Sequence, residues 1–295
     1  MQVFLIIIIS LLAFSCNSQE NNVSISKMGQ SPVHQELQES ESIKFNSQGN
    51  TIEKRFLVSG SLKRIPVGEG TFAQYLRSLP LKPHGSKVKK YNDELKYDQS
   101  VAAAVVNLPI GKRDLHQCAD GIMHLKARYH FDRKEYDKIG FHFVNGFYCD
   151  FEHWKNGYRV RVSGNKTNWY KSGNKDSSQL TFWKYLEMVF SYAGTLSLAK
   201  ELQPVSLNEI QIGDVFIIGG SPGHAIVVVD MSINENTGEK FLLLAQSYMP
   251  AQELHVLANF DNADISPWYS LSQFDKWVST PEWTFEREDL KRFPN

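Results

Sequence analysis

The densest apolar patterning lies late in the chain. Val215-Phe216-Ile217-Ile218 and Ala225-Ile226-Val227-Val228-Val229 are unbroken apolar blocks of strand length, separated by Gly219-Gly220-Ser221-Pro222-Gly223. Blocks this short and rich in β-branched residues, joined by residues that supply positive or fixed φ, predict two buried strands and a tight turn. His224 stands at the mouth of the second strand, and Asp230 reads as a turn residue after it. A Glu235-Asn236-Thr237-Gly238 turn and a third block, Phe241-Leu242-Leu243-Leu244-Ala245-Gln246, extend the hairpin into an antiparallel meander.

Upstream the period changes. Leu115, Cys118, Ala119, Ile122, Leu125 and Tyr129 recur at helical spacing, and Asp114 with Gln117 three residues later predicts a capping box that places Cys118 in or just after the first turn. Trp183, Leu186, Val189, Phe190, Ala193, Leu196 and Leu202 predict one bent helix or two, broken at Gly194. A shorter helical turn covers 71–77 and stops before Pro80. Strands are expected at 56–58, 88–91 and 158–162 and, with a helix as the alternative, over the apolar run 101–108, with a hairpin over 139–150 turning at Asn145-Gly146. Helices that precede an antiparallel meander make an α+β fold.

The chain's start has a different texture. Residues 1–15 form a short apolar run ending in small residues before Cys16. The run falls short of the roughly 20 residues that cross a bilayer and reads as a secretory signal. Ala13-Phe14-Ser15-Cys16 resembles a bacterial lipobox, which implies export and a lipid anchor on Cys16, most naturally in the outer membrane. Residues 16–50 are rich in Ser, Asn, Gln and Glu, too polar to offset chain entropy by burial, and read as a flexible tether. Residues 51–295 then form one α+β domain.

Charge and cysteine usage narrow the chemistry. Lys plus Arg and Asp plus Glu number 32 each, and no basic block carries interleaved aromatics, so nucleic acid is not an expected partner. No Cys or His cluster has metal-ligand spacing, and no glycine-rich phosphate loop follows a strand, so no metal or other cofactor is expected. Cys118 and Cys149 remain for an exported chain, as a disulfide or as free thiols.

Three residues suggest a reactive constellation. A cysteine at a helix start meets unpaired amides and the positive end of the helix dipole, which favour thiolate. His224 on its strand suits a general base. Gln246 on the neighbouring strand can orient the second imidazole nitrogen. The amides at the helix start and the Gln117 side chain are the oxyanion candidates. His116 and His124 read as solvated. Each of the three also has a plainer reading: Cys118 as a core residue, His224 as the closure of a hairpin, Gln246 as a strand cap.

The segment from Gly213 through Gly223-His224-Ala225 to Val229 resembles the histidine-bearing hairpin of the NlpC-type and CHAP-type cell-wall hydrolases of the papain-like superfamily. The resemblance implies helices packed on an antiparallel sheet and a Cys118, His224, Gln246 triad acting on an amide bond, with wall peptide as substrate. The usual Asp-Cys-Ser-Gly box is absent around Cys118, and the material between Phe131 and Gln203 reads as an insertion. Over more of the chain, Gln117-Cys118-Ala119-Asp120, Val144-Asn145-Gly146-Phe147 and Ala245-Gln246-Ser247-Tyr248-Met249-Pro250 are similar to an uncharacterised family of Bacteroidota lipoproteins, a domain of unknown function. The alternative expectation is a non-catalytic envelope lipoprotein of the same fold that binds wall peptide or a protein partner.

Overall fold

The computed structural model describes residues 42–294, so the expected signal segment, the Cys16 anchor and most of the tether lie outside the described residues. The end of that tether needs correcting. Ser42–Phe45 (β1) pairs with Phe56–Ser59 (β2), and Arg55 donates to the Gly49 carbonyl at 2.6 Å, because Ile43 and Phe56 have a core to join. Between them lies the short helix Ile52–Arg55 (α1), and Leu62–Arg64 (β3) and Phe72–Arg77 (α2) follow. Thr71 caps α2 by accepting from the Gln74 amide at 3.2 Å. Of the expected strand at 88–91 only isolated bridges form, Lys89 to Leu95 and Lys90 to Gln252.

Ala102–Val105 (β4) leads to Cys118–Asp132 (α3), then to the hairpin Gly140–His142 (β5) and Tyr148–Asp150 (β6). Phe151–Lys155 (α4) precedes a second hairpin, Tyr158–Ser163 (β7) with Lys166–Lys171 (β8). Gln179–Tyr192 (α5) and Thr195–Glu201 (α6) are two helices separated at Gly194, where the pattern predicts a break. The remainder is mostly strand: Gln203–Pro204 (β9), Val215–Ile218 (β10), His224–Asn234 (β11), Lys240–Gln246 (β12), His255–Leu257 (β13), Tyr269–Ser270 (β14), Trp277–Ser279 (β15), Thr284–Glu286 (β16) and Leu290–Arg292 (β17).

Among the described residues, nine strands form one sheet in the order β4-β13-β12-β11-β10-β17-β9, with β14 also on β12 and β3 also on β11. Every pairing is antiparallel, so the fold is α+β. Its central strands are unbroken apolar blocks because both faces are covered. Val215, Ala225, Val227, Leu243 and Ala245 pack toward Ile122, Leu125 and Leu198 of the helices. Phe216, Ile226, Val228, Leu242 and Leu244 pack toward Phe274 and Phe285 from the C-terminal segments. Alternation along each strand therefore divides two cores, not a core and a solvated face.

Asp230 corrects the reading of a turn after β11. A register shift between Val228 and Asp230 bulges the strand, which continues to Asn234. The fully buried carboxylate accepts from Arg64 Nε at 2.7 Å, Arg77 Nε at 2.6 Å and the Met231 amide. Asp230→Ala should lower the unfolding free energy by about 3–5 kcal/mol, since it strands buried guanidinium charge. Urea unfolding measures this, and a loss below about 1 kcal/mol would show that the pairs are dispensable.

Candidate functional site

The helix start that carries Cys118 is fixed from two sides. Gln117 is the N-cap, and its amide donates to Asp120 Oδ2 at 3.0 Å. The cap thus sits one frame later than the Asp114 and Gln117 pair predicts. Asp114 is otherwise engaged: its Oδ1 accepts from the Ala251 amide at 2.7 Å and from Gln117 Nε2 at 3.2 Å, tying the chain after β12 to the start of α3. Gly121 permits this approach, since a Cβ there would meet Ser247 Cβ at 3.2 Å. Cys118 is the first helical residue and only 6 % exposed.

The Cys118 sulfur sits at the end of the sheet. Backbone amides of Ala119 and Ala225 point at it, which sets it beside the start of β11, but among the described residues no hydrogen bond joins the sulfur to the His224 ring, and His224 does not line the cleft that Cys118 opens into. Burial pushes the thiol up to about 11, with the neighbouring Asp120 carboxyl acting in the same direction and the backbone amides opposing. The thiolate expected from the helix dipole is therefore corrected: desolvation outweighs the amides, and Cys118 rests as a thiol at neutral pH.

His224 and Gln246 meet as expected. Imidazole Nε2 lies 2.8 Å from Gln246 Oε1. The roles follow from the far end of the amide. His255 Nδ1 is 2.9 Å from the Glu253 carbonyl and must donate to it, which leaves His255 Nε2 to accept from Gln246 Nε2 at 3.4 Å. Gln246 Nε2 also donates to Glu282 Oε2 at 2.6 Å. The Gln246 oxygen is thus turned to His224, whose Nε2 carries the hydrogen and whose Nδ1 keeps its lone pair. Burial lowers the imidazole to about 4, partly opposed by the Gln246 bond and reinforced by nearby Lys96, so the ring is neutral at pH 7.

Aromatic rings hold that imidazole in place. Tyr248, Trp283 and Phe285 have centroids 4.8, 5.2 and 5.9 Å from it. The Lys96 ammonium pairs with Glu282 and lies 5.1 Å from the Tyr248 ring centroid. Gly223 has no room for a side chain: a Cβ would stand 2.5 Å from both the Gly220 carbonyl oxygen and Thr195 Oγ1. The turn before His224 is locked against α6 in this way.

Sequence reasoning missed Glu282, Lys96, His255 and Trp283, which come from segments with no apolar period. It also misplaced two histidines. His116 and His124 are not solvated but buried, 0 % and 1 % exposed, with His116 Nε2 3.1 Å from His124 Nδ1 against Phe190 and Trp183. Cys118 and Cys149 are both free thiols, on α3 and β6. Gln117 lines the opening beside Cys118.

That opening is a cleft of about 390 Å³ between the start of α3, the α5–α6 junction and the Gly220–Gly223 turn. A larger cavity of about 670 Å³ lies elsewhere, around Lys126, His130, His142, Glu201 and Arg292. Most of its charged groups already have partners: Arg292 with Asp214, His142 with Glu201, His130 with Glu135. The smaller cleft holds the only thiol that lines either one, so chemistry points there. Among the described residues no His, Cys, Asp and Glu group is arranged to hold a metal ion, and no helix is long and apolar enough to cross a membrane.

Residues 52–292 match the family described as Domain of unknown function (4846). The chain belongs to that family. The family's span runs from α1 to β17 and so takes in the helix start, the meander and Glu282. No curated protein and no solved structure matches the chain.

Proposed function

We propose that this chain is a cysteine hydrolase of amide bonds with a papain-like arrangement, and that Cys118, His224 and Gln246 are its nucleophile, base and orienting residue. The observation that carries the reading is the hydrogen-bond chain from His224 Nε2–H through Gln246 to Glu282, which leaves Nδ1 as a base with a fixed direction. Both reacting groups start neutral. Cys118 Sγ attacks the substrate carbonyl carbon as its proton passes to His224 Nδ1. The C–N bond then breaks, and His224 returns the proton to the departing amine. A water molecule, deprotonated by the same imidazole, hydrolyses the thioester and restores the thiol. Amides of the first α3 turn and the Gln117 side chain stabilise the oxyanion, a type of contact worth about 3 kcal/mol per donor.

The N-terminal pattern supports export and a lipid anchor on Cys16, as in the lipoproteins of Bacteroidota that the sequence resembles, which places wall peptide within reach. The likeness of the Gly213-to-Val229 segment to NlpC-type and CHAP-type hydrolases supports the same substrate class.

A second reading, a non-catalytic binder of wall peptide or a partner protein, is favoured by the raised thiol. One pair of pH profiles separates the two. Hydrolysis should be present from about pH 5 upward and fall below it as His224 gains a proton near 4, because the base form exists only above that value. Iodoacetamide alkylation of Cys118 should keep rising with pH toward about 11. Alkylation on that profile, with no amide cleaved at any pH, establishes the binder instead.

A further inference from the structure

We infer that the cleft at Cys118 receives an aliphatic, uncharged residue on the acyl side of the scissile bond and turns away residues that carry a carboxylate. The inference rests on the hydrolase reading and names its substrate class. Three large apolar side chains rim the cleft while unusually open to water: Val144 at 50 %, Leu196 at 39 % and Met249 at 53 % exposure. Large apolar groups gathered around one opening mark a surface that is covered in use. Phe190, which is buried, and Ala193 line the same cleft. The nucleophile in the cleft says what covers it: the group next to the carbonyl that Sγ attacks.

Charge excludes the alternative. No lysine, arginine or histidine lines the cleft, and its two ionisable side chains besides the thiol, Asp114 and Asp120, are both acidic. A substrate carboxylate brought here would lose water and find no cation to pair with. The volume, about 390 Å³, equals roughly a dozen waters at about 30 Å³ each, enough for one or two residues and not for a folded partner.

Peptidyl chloromethyl ketones that differ only in the residue beside the warhead test this on the folded chain. Their reaction forms a Cys118 S–C bond, expels chloride and releases the thiol proton to the base. Leucine and alanine probes should label Cys118 at least tenfold faster than the glutamate probe, with the glutamine probe, equal in size but uncharged, in between. Leu196→Arg and Met249→Lys should each raise the ratio of glutamate to alanine labelling at least fivefold. Equal rates for leucine and glutamate in the unaltered protein overturn the inference and leave the hydrolase reading standing. If no probe labels Cys118 although iodoacetamide still alkylates it at high pH, both fall.

Discussion

Cys118→Ala should abolish the proposed amide hydrolysis, a loss of roughly 10³-fold or more, because nothing else in the cleft can form the thioester. Asp114 is held by the Ala251 amide, and His116 is sealed against His124. The change should be mild for folding, since only a sulfur atom at the sheet's end is removed. His224→Ala should cost about 10²–10⁴-fold through loss of the base, and the double variant should be little worse than either single one, as expected of groups that act as a unit. The check is turnover of a fluorogenic peptide amide by variants whose melting matches the parent. Full turnover by Cys118→Ala would end the hydrolase reading.

The part of this machinery that was legible in the sequence is the part set by local chemistry. Glycine, proline and β-branched blocks define the hairpin, and the meander that follows fixes who meets His224. With Val227 opposite Ala245, Gln246 falls across from Ile226 and diagonal to His224 on the same face of the sheet. That follows from a period of two and a turn. Glu282 was not legible, because its contact with Gln246 spans 36 residues and depends on how the C-terminal segments fold back. Asp230 misled for the same reason: its partners Arg64 and Arg77 lie more than 150 residues away. The cap of α3 was ambiguous because Asp114 with Gln117 and Gln117 with Asp120 share one spacing. Only the bond from the Ala251 amide, a tertiary contact, takes Asp114 out of the contest. The protonation state of Cys118 was a contest between two sound effects, the helix dipole and desolvation. At a sulfur this enclosed the second wins.

Acidification to pH 5 should remove on the order of 5 kcal/mol of stability, a large share of what a domain possesses. The cause is a set of buried neutral imidazoles. Burial lowers His116, His224 and His255 to about 4 and His124 well below its ordinary value. In the unfolded chain each titrates near 6.5, so between 6.5 and 4 the unfolded state binds protons that the folded state refuses. The stabilisation is therefore complete above about pH 6.5 and drains as pH falls, at about 1.4 kcal/mol per unit per imidazole. Asp120 and Glu201, both raised by burial, work in the opposite direction and reduce the total. Urea unfolding at pH 7.5, 6.5, 5.5 and 5.0 gives the slope, which counts the protons taken up. His255→Gln should lower that count by about one, since it replaces one such imidazole with a group that does not titrate. Stability that stays level down to pH 5 would mean that these rings are protonated, or reached by water, in the folded chain. The neutral His224 on which the proposed base chemistry depends would fall with them, so a measurement of unfolding bears directly on the mechanism.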